Sequence, residues 1–334
     1  MSEPKRSGGA QRPGSTDRDS GAGPVSEPTA GSPVWRPSGA TRVVGVIGWP
    51  VRHSLSPAIH NAAFRAVGLD WAYVAFEVGP GRAVDAIDAM RVLGLAGLNV
   101  TMPHKADVGA ALDRCTAIAE ALGAVNTVSR RGDALIGDNT DGPGFLDAIR
   151  LDEGFDPVGR RCLVIGAGGA ARAVVRALAD AGAAEVVVVN RTPERAEAAA
   201  ALAGPIGRVG VAAEAGEADL VVNATPIGMP DSDEPTPIDQ TPPLLPVEPA
   251  HLGSGQLVVD LVYHPAVTPL VDAARAAGAV AVNGLGMLIH QAAHAFRLWT
   301  GEDPPLEVMS AAALVELGSR NEGSGVPANL PKKD

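Results

Sequence analysis

The chain has 334 residues, 46% of them apolar, a net charge of −11 and an isoelectric point near 5.1. Its length exceeds what one hydrophobic core usually organises, so two domains are expected, and no apolar run approaches the roughly 20 residues that span a bilayer. Negative charge and 3% aromatic content argue against nucleic acid or an anionic membrane as partner, so a site for an anion must generate its own positive potential.

Residues 1–40 are Gly-, Ser-, Pro- and Arg-rich with little to bury, which predicts a disordered tail, and 319–334 have the same character. The opening residues carry no apolar signal-peptide core, and Cys115 and Cys162 lack metal or redox spacing, so a cytoplasmic protein without a metal site is expected. From Val43 short apolar runs alternate with helical patterns: strands at Val43–Gly48, Ala72–Phe76 and Leu95–Val100, and helices starting at Ser56 and Arg82. Such alternation predicts an α/β fold with a mostly parallel sheet and helices on both faces. A second α/β series starts at Arg161, with a hinge expected near Asp141–Leu151. Pro230–Gly255 reads as a long surface loop, and amphipathic helices are expected at Met287–Thr300 and Pro305–Leu317.

"VIGAGGAARA" follows an apolar strand, opens a helix and precedes a second strand, the context of a dinucleotide-binding turn. Gly166 permits the tight turn, Gly168 lets backbone N–H groups approach a pyrophosphate, and small Ala171 allows close helix packing. Where an NAD site carries a carboxylate for the ribose, this chain reads Asn190, Arg191, Thr192, with Arg195 one turn later. Two guanidinium groups there suit the 2′-phosphate of NADP, although a solvated helix start would look the same.

"HSLSP", "NVTMPHK", "GAVNT" and "GDNTDG" are polar clusters that follow or interrupt apolar runs, where α/β folds place ligand loops. They supply many hydroxyls and amides but one obvious acid–base pair, Lys105 and Asp141. An ammonium beside a ketone oxygen can neutralise and protonate an alkoxide as it forms; without further context an inter-loop salt bridge is about as good an explanation. "HQAAH" has the i, i+4 spacing of a zinc helix, but Gln291 stands where a zinc protease carries its glutamate. His104 is the histidine expected to assist at the site, ahead of His53.

Taken in order, "HSLSPAIHN", "GLNVTMPHK", "GAVNT", "GDNTDG", "GAGGAARA", "NRT", "NATPIGM" and "GLGMLIHQA" resemble the shikimate dehydrogenases over about Val43–Gly318. The resemblance implies reduction of 3-dehydroshikimate to shikimate with NADPH, on the route to aromatic amino acids. It implies a substrate-binding domain of residues 41–145 plus 287–318 and a Rossmann-type NADP-binding domain of residues 146–286, with a cleft between them. It puts Ser54 and Ser56 on the substrate carboxylate, has Thr101, Asn126 and Gln291 bind ring hydroxyls or orient their neighbours, and brings Tyr263 from the opposite wall. NADP would be held by Gly166, Ala167, Gly168, Gly169 and Ala170 and by Asn190, Arg191, Thr192 and Arg195, with Leu261 and Gly284 against the nicotinamide. An NAD-using quinate or shikimate dehydrogenase and a catalytically silent shikimate-binding sensor are the competing readings. A homodimer is left open.

Overall fold

The computed structural model describes residues 36–229 and 245–323. The expected N-terminal tail, apart from 36–40, and most of the Pro-rich stretch lie outside the described residues. The first sheet contains β1 (Arg42–Gly48), β2 (Trp71–Glu77), β3 (Gly97–Val100), β4 (Arg114–Cys115), β5 (Thr127–Arg131) and β6 (Ala134–Asp138), in the order β2-β1-β3-β5-β6-β4. Its helices are α1 (Ser56–Ala66), α2 (Ala83–Leu93) and α3 (Ala117–Leu122). β1 is parallel to β2 and β3, but β5 is antiparallel to both β3 and β6. The sheet is therefore mixed, not simply alternating. The expected strand–helix alternation gives way to a hairpin whose turn includes Gly132 at φ +62°, a left-handed conformation that glycine adopts without steric cost.

The second sheet contains β7 (Arg161–Ile165), β8 (Glu185–Val189), β9 (Gly207–Val209), β10 (Leu220–Asn223), β11 (Leu257–Asp260) and β12 (Val280–Asn283). Its order, β12-β11-β10-β7-β8-β9, is parallel throughout and reverses direction between β7 and β10, the doubly wound arrangement that opens a crevice at that point. Helix α5 (Gly169–Asp180) buries Ala171, Val174, Val175 and Leu178, an i, i+3, i+4, i+7 stripe, against this sheet. Helices α6 (Pro193–Ala200) and α7 (Pro269–Ala276) complete the layers.

Helix α4 (Asp141–Asp147) leaves β6 and continues as a π-type turn over Ala148–Asp152 before β7. The expected hinge is thus helical. After β12 the chain returns through α8 (Leu285–Thr300) and α9 (Leu306–Gly323). Ala292, Phe296, Trp299, Met309 and Ala313 from these two helices share a core with Val44, Val46, Ile59 and Phe64 of the first sheet and α1. Helix α9 runs past Gly318, so 319–323 are helical where a disordered tail was expected, and 324–334 lie outside the described residues.

His60 of α1 is fully buried in that core, its ring stacked on Tyr73 at 4.4 Å and 5°, with neither ring nitrogen hydrogen-bonded. Burial lowers its pKa from 6.5 to about 3. Between those values the unfolded chain holds a proton that the folded chain rejects, so the full stability exists above the unfolded value and falls as pH drops. From about pH 7 to about pH 5 this costs about 2 kcal/mol. His60→Phe keeps the stack and should remove that share of the acid sensitivity; urea unfolding of both proteins at the two pH values checks it, and equal slopes would refute it.

Candidate active site

Parallel β1 and β3 end at the same edge of the first sheet. Because β5 runs the other way and β6 reverses again, the start of β5 and the end of β6 reach that edge as well, with Asn99 opposite Thr127 and Thr127 opposite Asp138. The segments carrying Ser54 and Ser56, Thr101 and Lys105, Asn126, and Asp141 therefore converge. The hairpin that departs from the expected alternation is what brings the last two into place.

Lys105 Nζ donates to Asp141 Oδ2 at 2.5 Å, with the two side chains 18% and 7% exposed. Asn126 Nδ2 donates to Asp141 Oδ1 at 2.8 Å and to Thr140 Oγ1 at 2.9 Å. The Asp141 backbone N–H donates to Asn139 Oδ1, and Asn139 Nδ2 to the Ala124 carbonyl. Each Asp141 oxygen thus has a donor, which fixes the carboxylate in the plane facing Lys105. Both Asn126 donors are used within the protein, so this residue orients its neighbours. Ser54 and Ser56 lie at the start of α1, where the Ser56 N–H donates to Ser54 Oγ at 3.2 Å, and two hydroxyls at a helix N-terminus suit an anion. Thr101 follows β3, its N–H donating to the Ile47 carbonyl at 2.9 Å. Gln291 lies on α8 with its amide donating to the Leu288 carbonyl at 2.8 Å.

His104 does not assist at the site. Its ring is fully buried, Nε2 donates to the Val78 carbonyl at 2.7 Å and Nδ1 has no partner, so it braces the loop after β2. The histidines of "HQAAH" pair with carboxylates, His290 with Asp152 at 3.2 Å and His294 with Asp147 at 2.7 Å. No metal-binding cluster occurs among the described residues.

The second lobe faces this edge with its dinucleotide turn. Gly166 adopts φ +115°, and a side chain there would meet the Ala224 carbonyl at 2.9 Å, so both conformation and space require glycine. At Gly168 nothing lies within 4 Å of where a side chain would begin, which leaves the N-terminus of α5 open to a pyrophosphate. A side chain on Gly169 would instead sit 3.4 Å from Lys105 Cδ, so the turn abuts the lysine. Asn190 holds the following turn by donating to the Thr192 carbonyl, while Arg191 and Arg195 are exposed and in no ion pair among the described residues. These groups fit NADP: an open, amide-rich turn for the pyrophosphate and free guanidinium groups for the 2′-phosphate.

Asp260, at the end of β11, accepts from Asn223 Nδ2 at 2.9 Å, Thr268 Oγ1 at 2.6 Å and the Val262 N–H at 3.1 Å. Burial raises its carboxyl pKa against those donors. This knot shapes the loop in which Leu261 lies directly against Gly284, where any side chain would overlap the Leu261 carbonyl. Tyr263, from the same loop, packs on the first lobe's core. The expectations missed Tyr73, Asn99, Thr127, Asn139 and Asp260; each sits in or beside a quoted motif or a strand, but single residues inside apolar runs carry no sequence signal of hydrogen bonding.

A glycine-rich turn at a topological switch point, set against an ammonium–carboxylate pair across a cleft, defines a nicotinamide-dinucleotide oxidoreductase with two α/β lobes. Family models agree in detail: a shikimate dehydrogenase substrate-binding domain matches residues 46–128, a shikimate/quinate 5-dehydrogenase model 153–227, and a shikimate 5′-dehydrogenase C-terminal domain 284–314. A shikimate dehydrogenase (NADP(+)) from Methanopyrus kandleri is 48% identical over 83% of this chain and 96% of its own length. The crystal structure of shikimate 5-dehydrogenase from Thermus thermophilus in complex with NADP(H) and shikimate superposes with a TM-score of 0.74 at 39% identity, covering 82% of this chain and 99% of that one. Quinate dehydrogenase from Corynebacterium glutamicum in complex with NAD gives 0.73 at 32% identity, covering 82% and 99%. The chain belongs to the shikimate dehydrogenase family.

Removing the Arg191 guanidinium should cost charge-assisted contacts made to NADP but not to NAD. Arg191→Ala is expected to raise KM for NADP+ about tenfold or more while KM for NAD+ stays within about twofold. Steady-state titration of both cofactors checks this, and equal effects would place the 2′-phosphate elsewhere.

Proposed function

We propose that this chain catalyses the reversible NADPH-dependent reduction of 3-dehydroshikimate to shikimate, with Lys105 and Asp141 as its acid–base pair. In this reading residues 41–145 and 287–318 bind the substrate and 146–286 bind NADP. The observation that carries it is the short Lys105–Asp141 contact, which abuts the dinucleotide turn at Gly169. A carboxylate on Ser54 and Ser56 sets the ring in the cleft, and the neutral donors and acceptors around it penalise an analogue lacking a hydroxyl.

NADPH, when bound, supplies a hydride to the substrate carbonyl. Lys105 Nζ then faces the carbonyl oxygen, where negative charge develops, and gives it a proton. Asp141 holds the ammonium group in place, and Asn126 holds Asp141. In the reverse direction the lysine amine accepts the hydroxyl proton. Thr101 and Gln291 bind ring hydroxyls, and Tyr263 closes the site from the opposite wall. Both walls come from one chain, so the chemistry needs no second copy.

Initial rates with shikimate or quinate, each paired with NADP+ or NAD+, test the substrate and cofactor together. Preference for shikimate with NADP+ is expected; preference for quinate or NAD+ would overturn the assignment of the selecting residues, and no turnover would favour a sensor. Lys105→Ala should lower kcat by about 10³-fold or more with little change in shikimate affinity, because its main interaction develops in the transition state. Retained kcat would remove Lys105 from the chemistry.

A further inference from the structure

A run of buried polar side chains leads from Tyr73 to Asp141, and the hydrogen bonds that link its members have assignable directions. The Asn126 amide is oriented by a backbone group: Oδ1 accepts the Thr140 N–H at 2.8 Å, so Nδ2 faces Asp141. Asn99 is oriented in the same way, since Nδ2 points at the Asn126 carbonyl at 3.3 Å and can only donate there. Asn99 Oδ1 must then accept the Tyr73 hydroxyl proton, at 2.8 Å. Thr127 Oγ1 accepts from Asn99 Nδ2 at 3.0 Å and donates to Asn126 Oδ1 at 2.9 Å, a nearer partner than Thr140 Oγ1 at 3.3 Å. Donors therefore point one way, from Tyr73 through Asn99, Thr127 and Asn126 to Asp141.

The run is held at its Tyr73 end. Asn61 of α1 binds the Tyr73 backbone with two 2.8 Å hydrogen bonds, and the His60 ring stacks on the phenol. Thr127 is fully buried, Tyr73 is 2% exposed, and Asn99 and Asn126 are buried, so water cannot replace a missing member.

We propose that Thr127 and Tyr73 are positioning residues for the reaction: through Asn99 and Asn126 they hold the Asp141 carboxylate, and with it Lys105, at the reacting oxygen. The catalytic part rests on the function proposed above. Thr127→Val preserves shape and removes the hydroxyl, leaving Asn126 Oδ1 and Asn99 Nδ2 each one partner short. Thr127→Ser restores the hydroxyl without the methyl.

Steady-state kinetics and amide exchange of the Thr140 N–H, measured by NMR, form the test. T127V is expected to lower kcat about tenfold with KM for NADP+ within about twofold, and to speed Thr140 exchange about tenfold. T127S should restore both. Y73F should also lower kcat, and T127V/Y73F should lose less than the product of the two single losses, because both break one chain. Unchanged kcat and exchange in T127V, failure of T127S to rescue, or fully multiplicative losses would each overturn the proposal. A wild-type protein that turns over no substrate would instead sink the functional reading, and the exchange measurements would then decide by themselves whether Thr127 holds Asn126.

Discussion

The position of one carboxylate, that of Asp141, depends on how closely three helices pass one another. Helix α4 begins with Asp141, and its next turn carries glycines on two faces. A side chain on Gly142 would lie 3.2 Å from the Ala173 carbonyl of α5, and one on Gly144 would lie 2.5 Å from the backbone nitrogen of Gln291 on α8. The helix is thus wedged between the dinucleotide-binding helix and the helix that returns to the first lobe. The two glycines reduce helix propensity, a cost that close packing offsets. Helix α4 is packed against both α5 and α8, so the two lobes and the Lys105–Asp141 pair share one structural reference.

The hydrogen-bonded pairs His290–Asp152 and His294–Asp147 lie along the same contact between α8 and the α4 segment. They explain why a zinc-like spacing occurs where no metal cluster forms among the described residues: an i, i+4 pair of histidines faces two carboxylates on the neighbouring helix instead of converging on a point. The acidic balance of the chain is compatible with anionic ligands for a related reason. Positive groups stand where anions would bind, at the N-termini of α1 and α5, Lys105, and the exposed Arg191 and Arg195, and local fields of this kind act over distances at which the net charge is screened.

Much of this is legible in the residue order. The glycine spacing around Gly166 and the missing carboxylate after β8 are local patterns with a direct chemical meaning, and Lys105 and Asp141 stand out as the one obvious acid–base pair among the polar clusters. The β5–β6 hairpin is not legible as such. "VNTVSRRGDALIG" is short, and its apolar positions fit a parallel strand as well as an antiparallel one, because period-2 alternation says nothing about strand direction. His104 departs from its expected role for a similar reason: it adjoins Lys105 in sequence, but the 3-10 turn that contains both points its ring to Val78 and the lysine to Asp141. The end of α9 lies beyond its expected boundary because its polar residues, "SRNEG", read in sequence like a tail.

By itself the sequence determined the two α/β series, the dinucleotide turn and the guanidinium groups suited to a 2′-phosphate, which depend on residue type and short spacing, and it offered Lys105 and Asp141 as the one obvious acid–base pair among the polar clusters. The return of α8 and α9 to the first lobe is what the resemblance implies and no helical pattern of their own carries; only the tertiary structure decided that the Gly169 turn abuts Lys105 and that Tyr73, Asn99 and Thr127 form one directed chain to Asp141. These are contacts between residues far apart in the chain, and hydrogen-bond direction depends on which backbone groups the fold leaves beside each side chain, which no local pattern encodes.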